Sequence, residues 1–345
     1  MPSPDRRAGL LPQRQAGLLP RRRALLRALA ASPGALSLPG RAAEAWPSRP
    51  VRLVVGYPAG ASTDLCARIL AEDWRTRLPQ PVVVENRPGA NGSLGAAFVA
   101  QAEPDGHTLL VSNTSTMTAN HLLYRDVRYQ PLRDLLPLAT VTLSPFLLAA
   151  SPRSPRSRGF RSVADVVAAA KADPGGLAYG SAGSGNLQHL NMELFCAAAG
   201  IRLLHVPFRG AAPAQNALVA GEVDLVLETP STTPLLAAGM LIPLACTGEE
   251  RWRDLPAVPT LAESGFPGFA CSFWNGLVAP AGLPAAIQDR LVGLMEAAAA
   301  APATRRLLLA QGEVMVLRPV AFRERVVADI ARNAEVIRSA GIEVQ

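Results

Sequence analysis

From Pro50 onward, short apolar runs rich in β-branched residues alternate with amphipathic stretches of helical period. Val51–Val55 is the first run. A turn-rich loop at 56–62 follows, and then a helical pattern from Thr63 to about Arg77. Pro81–Glu85 is the second run, with a loop over 86–92 and a helix predicted over 93–101. Thr108–Ser112 is the third, and the alternation resumes at Leu177–Gly180, Leu203–Val206, Val223–Leu227 and Ile242–Ala245. Strands separated by helices at this spacing predict βαβ units and mostly parallel sheets, an α/β fold.

Two breaks divide the pattern. Residues 151–159 form a polar stretch punctuated by Pro152 and Pro155, and Gly265-Phe266-Pro267-Gly268-Phe269 is a second turn cluster. Beyond it come one more apolar run, Trp274–Ala279, the turn Pro280-Ala281-Gly282-Leu283-Pro284, and three helical stretches. A closing section of one strand and then helices suits a chain that returns to complete its first domain. The length of 345 residues also favours two domains over one core.

Composition narrows the class. Apolar residues are 49% of the chain and charged residues 18%, which excludes an intrinsically disordered protein. After residue 45 no uncharged apolar stretch reaches the length of a membrane-spanning helix. The net charge of +7 belongs mostly to the first 45 residues, which carry eight arginines against Asp5 and Glu44. The other 300 residues hold 26 basic and 25 acidic side chains. A nucleic-acid binder carries its basic excess on the folded domain, so that class is excluded.

The first 45 residues read as an export leader. Arg21-Arg22-Arg23 precedes an Ala/Leu-rich stretch from Ala24 to Leu38, and Ala43-Glu44-Ala45 is a small-residue cleavage pattern. Arg22-Arg23-Ala24-Leu25-Leu26 also looks like a twin-arginine signal. The expectation is a periplasmic protein cleaved after Ala45. Cys66, Cys196, Cys246 and Cys271 contain no C-x-x-C pair, and no His or carboxylate pair has metal-ligand spacing. Buried free thiols and no metal or cofactor are expected.

Three loops join the end of a predicted strand to the start of a helix, where open α/β sheets bind ligands and helix N-termini favour anions. The first is Gly56-Tyr57-Pro58-Ala59-Gly60-Ala61-Ser62-Thr63-Asp64, in which Gly60 admits close backbone approach and Asp64 suits an N-cap or first-turn position. It reads equally as an anion loop or as a well-capped helix. The second, Tyr179-Gly180-Ser181-Ala182-Gly183-Ser184-Gly185-Asn186, resembles an anion nest. It is neither a P-loop, a dinucleotide fingerprint nor a nucleophile elbow, because position 188 is glutamine and Ala182 fills the serine slot. The third, Val206-Pro207-Phe208-Arg209-Gly210-Ala211, offers an arginine to a carboxylate or to solvent.

A secreted hydrolase is the alternative. His107, His121, His189 and His205 are available to a Ser184 or Cys66 nucleophile, but none lies in a catalytic motif. His189 reads as a residue that caps or packs the helix after the second loop. No catalytic residue is assigned, and the chain is expected not to be an enzyme.

Taken in order, these segments resemble the periplasmic substrate-binding receptors of tripartite tricarboxylate transporters, the Bug-type family. Trp46-Pro47-Ser48-Arg49-Pro50-Val51 matches the family's W-P-x-[KR]-P-[IV] opening, and Tyr57-Pro58-Ala59-Gly60-Ala61-Ser62-Thr63-Asp64 is similar to its F-P-P-G-G-x-x-D. Val84-Glu85-Asn86-Arg87-Pro88-Gly89, Pro104-Asp105-Gly106-His107-Thr108, His205-Val206-Pro207-Phe208-Arg209-Gly210 and Gly276-Leu277-Val278-Ala279-Pro280 continue it. The resemblance implies a bilobal periplasmic-binding-protein architecture of type II-like form, two α/β domains around an interlobe cleft. The leader is 1–45, lobe 1 is 46–146 plus 272–345, and lobe 2 is 147–271. It also implies a small carboxylate held by Tyr57, Ala59, Gly60, Ala61, Ser62, Thr63 and Asp64 of lobe 1. Facing them would be Ser181, Ala182, Gly183, Arg209, Gly210 and Glu228 of lobe 2. The implied partners are that ligand and a membrane transporter or sensor subunit, with the receptor itself a monomer.

Two departures from the family pattern stand out. Pro58-Ala59-Gly60-Ala61 replaces P-P-G-G, which adds a methyl group that crowds a bulky ligand. Leu227-Glu228-Thr229-Pro230-Ser231 carries glutamate where members often carry aspartate, extending the acid by one methylene.

Overall fold

The computed structural model describes residues 46–229, 232–339 and 341–342. The segment expected to be an export leader, with its arginine cluster and Ala43-Glu44-Ala45, lies outside the described residues, as do Pro230 and Ser231.

The chain opens with β1 (Val51–Val55), α1 (Ser62–Trp74), β2 (Val82–Asn86), α2 (Ser93–Ala100) and β3 (Thr108–Asn113). Three short helices follow, α3 (Thr114–Thr118), α4 (Asn120–Leu123) and α5 (Pro131–Asp134), and then β4 (Leu135–Pro145) and β5 (Leu147–Ala150). Next come α6 (Val163–Ala172), β6 (Ala178–Ser181), α7 (Leu187–Ala199), β7 (Leu204–Pro207), α8 (Ala211–Ala220) and β8 (Leu225–Glu228). The chain finishes with α9 (Thr233–Ala237), β9 (Ile242–Cys246), β10 (Ser272–Pro280), α10 (Ala285–Ala300), α11 (Pro302–Leu309) and α12 (Pro319–Ser339).

The strands form two five-stranded sheets, ordered β2-β1-β3-β10-β4 and β7-β6-β8-β5-β9. Alternation along β1 shows how the first is covered on both faces. Val51, Leu53 and Val55 point into one cluster with Leu70 and Trp74 of α1, while Val54 points into the other with Trp274 and Phe322. In the second sheet Leu225 and Leu227 of β8 face α7, and Val226 faces Leu218 of α8. Each fully buried aliphatic or aromatic side chain contributes about 1.5–3 kcal/mol, so both sheets own a sufficient core. The result is an α/β fold of two lobes.

The expectation of mostly parallel sheets is corrected. β1 runs parallel to β2 and β3, and β6 parallel to β7 and β8. However, β10 is antiparallel to β3 and β4, and β5 is antiparallel to β8 and β9. Parallel neighbours need a crossover connection, usually a helix. Only Phe146 separates β4 in one sheet from β5 in the other, so these strands enter their sheets with no helix between them. Both were missed in the sequence: β5 is four apolar residues without alternation, whereas in β4 the alternation of Thr140, Thr142 and Ser144 with Ala139, Val141 and Leu143 was a signal that went unread.

α12 serves both cores. Phe322 and Val326 pack with Trp274 in the first lobe, whereas Ile337 packs against the cluster of the second. Its buried Asp329 accepts the Trp274 indole N–H at 3.0 Å and pairs with Arg325 and Arg332.

Candidate functional site

The first loop leaves β1 at Gly56, where a Cβ would lie 2.5 Å from the Gly92 carbonyl oxygen, so no other residue fits without a backbone shift. Gly60 has φ of 86°, in the left-handed region open to glycine. Asp64 fixes this shape. It is a first-turn residue rather than the N-cap, which is Ala61 and has no capping side chain. Asp64 Oδ2 accepts the Gly60 amide at 2.8 Å and Arg68 Nε at 2.9 Å, and Oδ1 accepts Asn86 Nδ2 at 2.8 Å. Burial opposes ionisation of this carboxyl, yet the bonds from Arg68, Gly60 and Asn86 outweigh it and hold the pKa below its usual value.

The Gly60 N–H is therefore occupied, and the Ala61 N–H turns back to the Pro58 carbonyl. The next three amides, of Ser62, Thr63 and Asp64, have no acceptor among the described residues. They are the open donors of the α1 N-terminus.

Tyr57 and Thr63 turn inward. The Tyr57 hydroxyl meets the Asn91 carbonyl at 2.9 Å, Asn113 Oδ1 at 3.0 Å and Thr116 Oγ1 at 3.1 Å. Burial pushes this phenol up to about 12. Thr63 Oγ1 donates to Asn275 Oδ1 at 2.8 Å and accepts from Asn113 Nδ2 at 3.2 Å. Asn275, fully buried on β10, also donates to Thr142 Oγ1 at 3.1 Å and to Ser62 Oγ at 3.4 Å. Sequence reasoning missed Asn275. Its one signal was a polar residue inside the apolar run 274–279, which must find partners when buried.

The second loop differs from the expected anion nest, because its own side chains already fill it. The Ala182 amide donates to Gln188 Oε1 at 2.8 Å, Gly183 to Ser181 Oγ at 3.2 Å, and Gly185 to His189 Nδ1 at 3.0 Å. Gln188, itself buried, sends Nε2 to the Leu227 carbonyl at 2.7 Å and so ties the loop to β8. Asn186 caps α7 by accepting the His189 amide. His189 packs rather than caps, stacked on His205 with 3.9 Å between ring centroids.

The third loop is joined to the second by the Phe208 amide, which donates to the Ser181 carbonyl at 2.9 Å. Gly210, with φ of 119°, precedes α8 without a side-chain cap. Arg209 is exposed and forms no ion pair among the described residues. Glu228 ends β8, the strand beside β6. It is 2% exposed; Oε2 accepts Gln215 Nε2 at 3.2 Å, while Oε1 has no hydrogen-bond partner among the described residues. Burial pushes the Glu228 carboxyl up to about 7. Thus Ser181, Ala182, Gly183, Arg209, Gly210 and Glu228 gather at the carboxyl ends of β6, β7 and β8, and the loop of Tyr57 to Asp64 lies at the same end of β1 in the other sheet.

Nucleophilic chemistry finds little here. Burial pushes the Cys66 thiol up to about 12 and the Cys271 thiol up to about 11, and all four cysteines are free and buried. Ser181 Oγ lies 2.7 Å from His205 Nε2, but Ser181 is fully buried and no carboxylate bonds the imidazole among the described residues. No group of three metal-ligating side chains occurs among the described residues. Two surface grooves, of about 600 and 540 Å³, are lined by other residues, such as Arg125 and Arg133 or Arg161 and Glu263.

Comparison with known proteins places the chain in a family. Residues 66–342 match the model of the tripartite tricarboxylate transporter family receptor. An R. palustris protein solved with adipate is similar at 34% identity and a TM-score of 0.79, over 86% of this chain and 99% of that one. The periplasmic binding protein BugD is similar at 34% identity and 0.76, over 87% and 100%. MatC from Rhodopseudomonas palustris, with bound malate, is similar at 32% identity and 0.74, over 84% and 99%.

Proposed function

The chain belongs to the tripartite tricarboxylate transporter receptor family, and from that membership we propose that it is a periplasmic receptor for a small carboxylate. In this reading the protein is a monomer cleaved after Ala45. Residues 46–146 plus 272–345 and residues 147–271 are two lobes that close on the acid about the crossings near Phe146 and Ser272. It is not an enzyme, and it delivers its ligand to a membrane transporter or a sensor.

The observation that carries this reading is the trio of open amides at Ser62, Thr63 and Asp64, in a loop whose shape Asp64 fixes. A helix N-terminus stabilises an anion by about 0.3–2 kcal/mol, and α1 and α8 both begin at loops of the site. Ala59, Gly60 and Ala61 supply a close, nearly side-chain-free surface. Arg209 and Gly210 supply charge and backbone from the second lobe. Glu228 supplies a buried acid for a ligand group that donates or accepts a hydrogen bond. Closure excludes water and strengthens these contacts. Relatives solved with adipate and malate support a dicarboxylate.

A thermal-shift screen of residues 46–345, refolded to remove any bound acid, tests the reading. The panel is adipate, malate, citrate, glutamate and benzoate. A ligand at a hundred times its dissociation constant stabilises by about 2.7 kcal/mol. The expected result is stabilisation confined to one class of acid. A flat response to all five after refolding would sink the carboxylate assignment.

A further inference from the structure

The loop between β6 and α7 is gripped at both ends by one stacked pair of imidazoles. His205, on β7, places Nε2 2.7 Å from Ser181 Oγ at the start of the loop. His189, in the first turn of α7, accepts the Gly185 amide on Nδ1 at 3.0 Å near its end. The rings lie 3.9 Å apart between centroids and 6° from parallel. Tyr179 lies beside the pair, its ring centroid 4.9 Å from that of His205 and 6.4 Å from that of His189.

We propose that His189 and His205 are positioning residues for the β6–α7 loop, which borders the proposed acid site of the second lobe, and that they hold it only while both rings are neutral. The proposal rests on the receptor reading and adds a regulated element to it. The chemistry is that of the ring nitrogens. A neutral imidazole has one nitrogen free to accept, whereas an imidazolium donates from both. Once His189 takes a proton on Nδ1, two N–H groups face each other, the Gly185 amide loses its acceptor, and the loop is released at that end. Two imidazolium rings at this spacing would also repel, so the pair titrates as a unit.

The surroundings favour the neutral pair. Burial lowers the pKa of His189, against an opposing pull from Glu193 on its own helix. Burial, with His189 as a second cause, lowers His205 to about 4. Tyr179 of β6 faces both rings, and its hydroxyl donates to Glu193 Oε1 at 2.6 Å, so that carboxylate is already engaged. Cys196 of α7 bears on Tyr179 and has its thiol pushed up to about 12, so it adds no charge near neutrality.

The test compares His189→Ala with His189→Asn, whose amide oxygen can stand where Nδ1 stands but does not titrate. Affinity for adipate and malate is measured by calorimetry from about pH 7.5 to about pH 4.5, on wild type and both variants. His189→Ala should bind about tenfold more weakly at pH 7.5, and His189→Asn should recover most of that loss. Below the titration of His189 the wild type should lose up to about tenfold per pH unit relative to His189→Asn. Taking the ratio cancels the titration of the acid itself. Parallel pH profiles, or a wild type that gains affinity over His189→Asn in acid, would overturn the proposal.

Nitrogen NMR of the imidazoles in the ligand-free chain gives a readout independent of any acid. His189 should carry its proton on Nε2 at pH 7.5, and the Gly185 amide should shift as His189 titrates. A proton on Nδ1 at that pH would overturn the pair even if every acid bound. Conversely, failure of every acid to bind would overturn the receptor reading and leave this NMR result standing.

Discussion

The carboxylate of Asp64 accepts the backbone N–H of Gly60 four residues upstream, at 2.8 Å, from a position only 1% exposed. One buried side chain thereby turns the tip of the first loop back on its own helix, beside the open amides of Ser62, Thr63 and Asp64. Asp64→Ala would strand the donors of Gly60, Asn86 and Arg68. We expect a loss of about 1–3 kcal/mol in urea unfolding, together with weaker carboxylate binding by calorimetry. The folded pKa is depressed, so this contribution is present above the unfolded value of 3.8 and lost as pH falls through the folded one. Unchanged stability and affinity would remove Asp64 from the account.

Asn275 extends the same control from β10. Its amide links Thr63, Ser62 and Thr142, so Asn275→Ala should cost about 1–3 kcal/mol and loosen Ser62 within the open amide trio. Calorimetry on the variant should show a drop in affinity for the acid that stabilises wild type. Full affinity would mean that the network supports folding alone.

Glu228 predicts a pH dependence of opposite sense to that of Asp64. Its folded pKa of about 7 lies above the ordinary value of 4.5. Between these values the folded state keeps a proton that the unfolded chain has lost, so stability falls as pH rises through this window. The full effect is of order 3 kcal/mol. Glu228→Gln should abolish that slope, and the difference between wild-type and variant unfolding curves isolates it from the histidines, whose depressed values act in the other direction. Parallel curves would contradict a buried, proton-retaining Glu228.

Ser184 separates a receptor from a hydrolase. It takes part in the fold through its carbonyl, which accepts the Tyr124 hydroxyl at 3.1 Å. Ser184→Ala should therefore alter stability by no more than about 0.5 kcal/mol and leave acid binding in place. Loss of a measurable turnover with affinity retained would restore the hydrolase alternative.

How far the sequence revealed the site depends on how local each feature is. β1 and β3 were legible as apolar runs, and the first loop because Gly60 and Asp64 bring turn chemistry that acts within a few residues. β5 was not, since its four residues are all apolar, while the alternation of Thr140, Thr142 and Ser144 in β4 went unread. The second loop was misread for another reason. Three glycines and two serines looked like an empty nest, and only the fold brings Gln188 onto the Ala182 amide and His189 onto that of Gly185. Asn275 lies 212 residues from Thr63, and no spacing rule reaches across that distance.

The central claim is that a carboxylate is held on the open amides of α1. Amide NMR of residues 46–345, titrated with adipate, malate, citrate and glutamate, tests it most directly. At least one acid should move the Ser62, Thr63 and Asp64 resonances together and saturate at one equivalent per chain. An acid that binds with saturation while leaving all three unmoved, or no response to any of the four, would contradict it.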